Sequence, residues 1–129
     1  RRRFGHALLI DCHSMPSQAV AQARRGNDFV LGDRHGAACM PELSDRAEEV
    51  LRKLGYSVAR NRPYAGGFTT HRHGRPDDGV HTLQIEVNRA LYLDETRLRP
   101  HGGSARLAAD LEQLIDALAD VTPFARAAE

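Results

Sequence analysis

The segment "HTLQIEVN", residues 81–88, decides the fold class. Its apolar and polar side chains alternate strictly, and this period of two predicts a β-strand with one face against a core. Glutamate is rarely buried without a partner, so Glu86 is either a general base in a polar cavity or part of a solvated sheet face. The apolar face consists of Leu83, Ile85 and Val87, and the polar face of Thr82, Gln84, Glu86 and Asn88.

Further strands and helices are predicted on both sides of this strand. Short apolar runs predict strands, and leucines at helical spacing predict two amphipathic helices. Ser44 is expected to cap the first helix and Gly55 to end it in the left-handed conformation. The predicted strands cover 7–12, 28–33, 56–60 and 81–88; the predicted helices cover 44–54 and 104–120, the second burying Leu107, Leu111, Leu114, Ile115 and Leu118. Alternating strands and helices are typical of an α/β fold. We expect a mixed, largely parallel sheet flanked by helices, of a phosphorylase or hydrolase type, forming part of a larger domain.

Polar side chains follow three of the predicted strands. "ALLIDCHSMP", residues 7–16, ends a buried run on Asp11 and His13, which share one strand face while Cys12 points toward the packed side. Imidazole is a common metal ligand and a carboxylate often orients it; the alternative is an Asp and a His hydrogen-bonded in a turn. Ligands bind beyond the carboxyl ends of such strands, so we expect a site there. The other two pairs are Asp33 with Arg34 and Asn61 with Arg62.

A long loop rich in Gly and Pro is predicted over residues 61–80, and loops of this length are usually functional or disordered. Gly66 and Gly67 allow a ligand or another backbone to come close. Guanidinium groups bind carboxylates in a bidentate way, so the region is either an anion pocket or a solvated, arginine-rich surface. Its basic side chains are Arg60, Arg62, Arg72 and Arg75 with His71 and His73, and the first acid is Asp77.

The composition limits the possible partners. The chain has 129 residues and a net charge of +1, which gives no basis for a nucleic-acid or membrane partner. Its 18 basic residues include a single lysine, Lys53. The two cysteines, Cys12 and Cys39, suggest reduced thiols in a cytoplasmic protein. The chain begins on three arginines without Met, and we expect a piece of a longer protein.

Four motifs in order resemble the N-formylglutamate amidohydrolase family. The resemblance covers about residues 7–96 and the helix that follows. The motifs are "LLIDCHSMPS" (8–17), "DFVLGDRHGAAC" (28–39), "NRPYAGGFTTHRHGRP" (61–76) and "GVHTLQIEVNRALYLDE" (79–95). That family is similar to zinc carboxypeptidases in fold and mechanism. It converts N-formyl-L-glutamate into formate and glutamate, the closing step of one route of histidine degradation.

The resemblance implies a role for several residues. His13 would bind Zn²⁺ or another divalent metal, with Asp11 as its orienting partner or a further ligand, and Glu86 would be the general base and acid. The expected partner is a small anionic amino-acid substrate, whose carboxylates would be held by some of Arg34, Arg72, Arg75, Arg89, Asn61 and Asn88.

The chain departs from the family pattern in one respect. Family members are about twice as long, and their N-terminal half carries a His-Ser-Gly motif and an acidic segment with the other zinc ligands; this sequence contains neither. The chain is therefore interpreted as the C-terminal portion, residues 1–129, of one amidohydrolase domain. Two alternatives stay open: a non-catalytic module that binds carboxylate metabolites, and an inactive fragment.

Overall fold

A four-stranded sheet carries the architecture in a computed structural model that describes residues 1–21 and 26–121. The strands are β1 (Ala7–Met15), β2 (Phe29–Gly32), β3 (Val58–Arg60) and β4 (Val80–Asn88), in the order β1-β4-β2-β3. β1 runs parallel to β4, β2 parallel to β3, and β2 antiparallel to β4. The predicted mixed α/β sheet is therefore confirmed.

Two of the three helices pack on the apolar face of this sheet. The helices are α1 (Pro41–Lys53), α2 (Phe68–His73) and α3 (Gly103–Ala119), and a small ribbon is formed by β5 (Leu93–Asp94) and β6 (Arg99–Pro100). α1 and α3 pack against each other, and their leucines meet the apolar side chains of β2 and β4. This core contains Phe29, Leu31, Leu43, Leu51, Leu83, Ile85, Leu107, Leu114 and Leu118.

The opposite face of the sheet holds a smaller apolar cluster beside the polar residues of β4. Met15, Val20 and Val30 are buried there, with Ala59 and Tyr64 packed against them. α2 also packs against β4. This face is therefore enclosed, and the alternation along β4 separates an apolar core from a buried polar layer rather than from solvent.

The first helix begins earlier than predicted. It starts at Pro41, with Met40 in the N-cap position, and proline is favoured in the first turn because its missing N–H needs no partner there. Ser44 is therefore inside the helix, and the N-cap prediction for it is wrong. Gly55 follows the helix at φ +95°, in the left-handed region as predicted.

The sequence predicted a long loop over residues 61–80, but the segment contains regular structure. It contains α2 and a 3₁₀ turn at Pro76–Asp78. Tertiary contacts fix it closely, since a Cβ at Gly74 would lie 2.6 Å from the Cα of Ala38.

Among the helices of the described residues, none combines the length and the apolar character that a membrane span requires.

Two predictions about burial are wrong. Cys12 is exposed rather than packed, because β1 pairs only with β4 among the described strands and its flank is open. Ile115 was expected in the buried stripe of α3, but 49% of it is exposed. β1 also continues past the predicted end to Met15.

Candidate active site

Strand register places the two main candidate residues side by side. In the parallel pairing of β1 with β4, His13 stands opposite Glu86 and Asp11 opposite Gln84. Side chains of directly opposed residues point to the same face of a sheet. The expected shared face of Asp11 and His13 therefore also carries Glu86; this polar face is buried along β4 and open at His13 on β1.

The His13 imidazole lies between two carboxylates. Its Nε2 is 3.2 Å from Asp11 Oδ1, and its Nδ1 is 3.6 Å from Glu86 Oε1. The His13 side chain is 46% exposed whereas that of Glu86 is only 7% exposed. A ligand can therefore reach the imidazole from solvent, while the Glu86 carboxylate lies beneath it.

The surroundings of Glu86 raise the pKa of its carboxyl group. Burial is the largest cause because it disfavours the charged form, and the charge of Asp11 acts in the same direction. The charges of His13 and Arg89 and a hydrogen bond from Gln84 lower the pKa, but they do not cancel the rise. A raised pKa makes a carboxylate a stronger base, which is the property that proton transfer at neutral pH requires.

Gln84 also lies in the candidate site, although it is not among the sequence-predicted site residues. Its Nε2 donates a hydrogen bond to Glu86 Oε1 at 2.8 Å, and its Oε1 accepts one from the backbone N–H of Gly67 at 2.7 Å. The available signal was its position two residues before Glu86 on the same strand face.

Arg89 and Asn88, two of the predicted substrate contacts, follow Glu86 at the end of β4. Arg89 Nε donates to Ser14 Oγ at 3.2 Å, which places its guanidinium beside the end of β1 and near His13. Asn88 is buried; its amide donates to the carbonyl of Asn27 and accepts from the N–H of Ala90, each at 3.0 Å. Arg89 therefore lies beside the candidate site and acts on the charge of Glu86, whereas Asn88 holds the turn that follows β4.

Asn61 also makes contacts within the fold. It adopts a left-handed conformation with φ +58°, which Asn tolerates better than most residues. Its Oδ1 accepts hydrogen bonds from the N–H groups of Asp33 and His35, and its Nδ2 donates to Asp33 Oδ1 at 2.8 Å. The Asn61 amide thus joins the carboxyl ends of β2 and β3.

The sequence predicted a group of arginines without acidic neighbours, but two of these arginines have acidic partners in the structure. Arg60 binds Asp33 and Asp45 at 2.8 and 2.6 Å, and Arg75 Nε lies 3.4 Å from Asp78. The acidic partners of Arg60 are distant from it in the sequence, and the partner of Arg75 lies across the turn that follows it.

Two further arginines predicted to contact the substrate, Arg34 and Arg72, lie near and on α2, respectively. Arg72 is exposed on α2. Arg34 is half-buried in a left-handed conformation, φ +55°, and its N–H donates to the carbonyl of Ala65. The side chain of Arg34 lies beside the Gly66–Gly67 turn, since a Cβ at Gly66 would lie 3.2 Å from its Cγ.

A cavity of about 260 Å³ is shared with the candidate site only through His13, and it lies on the α3 side of the sheet, opposite the face that carries Glu86. His13 and Ser14 form one wall, and Val87, Tyr92 and Leu107 contribute to the mainly apolar remainder. Neither Glu86 nor Asp11 lines this cavity, so it is not the space that the Glu86 carboxylate faces.

The described residues match a metal centre only in part. Catalytic zinc ordinarily has three protein ligands and an open position. Over residues 1–21 and 26–121, no group of three or more His, Cys, Asp or Glu side chains is arranged to hold a metal ion. His13 and Asp11 supply the imidazole and carboxylate chemistry of such a site, but they do not complete it.

Comparison with known proteins agrees with the motifs. The family model described as N-formylglutamate amidohydrolase matches residues 1–93. N-formylglutamate deformylase of Pseudomonas aeruginosa is 40% identical over 98 residues, and that of Pseudomonas putida is 37% identical over 99 residues. Each match covers 74% of this chain, but only 36% and 37% of the respective relative.

Two solved structures are similar to this chain in fold. The crystal structure of N-formylglutamate amidohydrolase from Ralstonia eutropha is similar at a TM-score of 0.83 with 42% identity, over 92% of this chain and 43% of that one. A gene product of Agrobacterium tumefaciens, 22% identical with a TM-score of 0.60 over 88% of this chain and 41% of that one, shares the fold. This chain therefore spans less than half the length of the proteins it matches, and it belongs to the N-formylglutamate amidohydrolase family.

Proposed function

We propose that this chain is the C-terminal portion of an amidohydrolase and carries part of an active site that hydrolyses N-formyl-L-glutamate. The observation that carries the proposal is the pairing of His13 with Glu86 across two adjacent strands, Nδ1 to Oε1 at 3.6 Å. The names of the relatives support the substrate. Histidine degradation as the pathway and the cytoplasm as the compartment follow from the resemblance and stay predictions.

Glu86 is the general base of the proposed reaction. The oxygen of a water molecule adds to the formyl carbon while Glu86 removes one proton from that water. Glu86 then returns that proton to the amide nitrogen, the C–N bond breaks, and formate and glutamate leave. The raised pKa of the buried Glu86 carboxyl suits both steps, because the group must accept a proton and then release it.

His13 is proposed as one ligand of a zinc ion or another divalent metal. Asp11 beside Nε2 would hold the imidazole so that Nδ1 is presented toward Glu86. A bound metal would supply polarisation of the amide carbonyl. Because the described residues do not complete a ligand set, the other ligands would come from outside the described part of the chain.

Arg89 is the best supported contact for a substrate carboxylate, because it lies beside the end of β1 and acts on the pKa of Glu86. Arg34 and Arg72 are proposed as further contacts on the α2 side. Arg75 would need to leave Asp78 to act. Asn61 and Asn88 are proposed to position the strand ends rather than to touch the substrate.

The test of the base is Glu86→Gln, with Glu49→Gln on the exposed surface of α1 as the matched control. Formate release from N-formyl-L-glutamate should fall about 10²–10⁴-fold in Glu86→Gln, the usual contribution of a general base, and stay unchanged in the control. Circular dichroism should show that both variants fold. Near-normal turnover by a folded Glu86→Gln chain would refute the role of Glu86.

The metal is tested by mass spectrometry of the purified chain and of His13→Ala. Near-stoichiometric zinc that is lost in the variant supports His13 as a ligand. Metal near zero in both would show that this chain does not hold the ion by itself. A longer polypeptide of the family carrying the same substitution would then decide the role of His13.

The incomplete ligand set favours a second candidate, a module that binds carboxylate metabolites without hydrolysis. The two candidates differ in a thermal-shift experiment run beside the formate assay. A higher Tm with glutamate or N-formyl-L-glutamate but no formate release supports the binding module. Formate release supports the enzyme.

A further inference from the structure

The side chain of Gln84 connects two parts of the candidate site. It is buried, with 3% of the residue exposed. The backbone N–H of Gly67 can only donate, so the Gln84 oxygen must face it. The Gln84 NH₂ group is thereby turned toward Glu86 Oε1, 2.8 Å away. One amide side chain thus determines where the Glu86 carboxylate can lie.

The Gly67 end of this connection is held by contacts of its own. The Gly66–Gly67 turn packs directly on β2, since a Cβ at Gly32 would lie 2.7 Å from the N of Gly66. Thr70 Oγ1 donates to the carbonyl of Gly67 at 2.8 Å. The anchor therefore does not depend on Gln84, and its position is imposed on the Gln84 amide.

We propose that Gln84 is a positioning residue for Glu86. The Gln84 amide holds Oε1 of Glu86. No donor among the described residues binds Oε2, so this oxygen is left to accept the proton from water. The inference rests on the proposed role of Glu86 as base. It predicts that loss of the Gln84 NH₂ group misplaces the carboxylate and lowers the rate of proton transfer, because sub-ångström placement governs such steps.

The kinetic test uses Gln84→Met, which keeps the length of the side chain and removes its donor, and Thr82→Val as the control. Thr82 is buried on the same strand face, and its hydroxyl has no hydrogen-bond partner within the described structure. We expect kcat to fall about 10- to 100-fold in Gln84→Met, KM to change less than about threefold, and Thr82→Val to keep wild-type values. An unchanged kcat with a lowered Tm would overturn the proposal, because a purely structural role predicts that result.

A double-mutant cycle separates action through Glu86 from action on the whole fold. If Gln84 acts only by positioning Glu86, adding Gln84→Met to Glu86→Gln should cause no further loss of kcat. A second loss of the same size would mean that Gln84 works independently of Glu86 and would overturn the proposal.

A third measurement needs no turnover, so failure of the proposed function does not leave the inference open. In NMR spectra, the side-chain NH₂ protons of Gln84 should exchange slowly with solvent and shift in Glu86→Gln. The Gly67 amide proton should exchange faster in Gln84→Met than in the wild type. A wild-type chain without formate release but with protected Gln84 protons would refute the function alone. Gln84 protons that exchange freely would refute the positioning role in either case.

Discussion

Asp33 and Arg60 form an ion pair at the carboxyl ends of two neighbouring strands. Nη2 of Arg60 lies 2.8 Å from Oδ2 of Asp33, which is only 2% exposed. The same oxygen accepts a hydrogen bond from the hydroxyl of Ser44 in α1, also at 2.8 Å. The pair therefore ties β2 and β3 to the first helix.

Asp33→Asn should lower the free energy of unfolding by about 3 kcal/mol at pH 7. The expected size is that of removing one partner from a buried ion pair. Asparagine keeps a single acceptor oxygen, so either Asn61 or Ser44 also loses its acceptor. Chemical denaturation of the wild type and the variant measures it. Glu49→Gln, which removes an exposed ion pair with Lys53, should leave the free energy of unfolding nearly unchanged.

The stability difference between wild type and Asp33→Asn should depend on pH. Burial alone would raise the pKa of Asp33, but hydrogen bonds from Asn61, Ser44 and Arg60 outweigh it and hold the pKa below its usual value. A group with a lowered folded-state pKa stabilises the fold above its unfolded pKa, about 3.9 for Asp, and loses that contribution as pH falls through the folded value. The difference should be constant near neutrality and shrink below about pH 4. A difference that grows in acid would contradict the assigned shift.

One thiol should react with an alkylating reagent in the native chain and two in the unfolded chain. Cys12 is exposed, whereas Cys39 is buried and its pKa is raised to about 11, mainly by burial. Only the thiolate is nucleophilic, so Cys39 should stay unmodified at pH 8. Intact-mass analysis after iodoacetamide treatment, with and without denaturant, counts the products. Rapid labelling of Cys39 in the folded chain would show that the core around it opens readily.

Gly32→Ala should disturb the site more than its small size suggests. The added Cβ would lie 2.7 Å from the N of Gly66 and 2.8 Å from the carbonyl carbon of Ala65, so the turn that carries Gly67 must move. We expect a loss of about 1–3 kcal/mol in the free energy of unfolding and weaker protection of the Gly67 amide. The matched control is Gly102→Ala, where a Cβ would meet nothing within 4 Å.

Arg89→Ala should weaken binding of N-formyl-L-glutamate about tenfold, which corresponds to about 1.4 kcal/mol and to the loss of one charged hydrogen bond. Isothermal calorimetry gives the Kd even if the chain does not turn over. Arg97→Ala provides the control, because Arg97 is exposed and lies beside Asp94 in the β5–β6 ribbon. Equal binding by wild type and Arg89→Ala would assign the carboxylate contact to another residue.

The sequence by itself determined the features that depend on local periodicity and on motif order. The alternation over 81–88 predicted β4 and its two faces, the apolar spacing predicted α1 and α3, and Gly55 predicted the end of α1. Four motifs in order indicated the family that the comparisons then showed. Such signals are readable because each is carried by neighbouring residues within one element.

Only the tertiary structure decided which distant residues meet. The partners of Arg60 come from β2 and α1, and the connection from Gly67 through Gln84 to Glu86 depends on how α2 sits on β4. Strand order, too, left Cys12 exposed and placed His13 opposite Glu86. These relations follow from the pairing of strands and the packing of elements far apart in the chain. A local side-chain pattern determines which face of a strand is buried, but not which distant strand lies beside it.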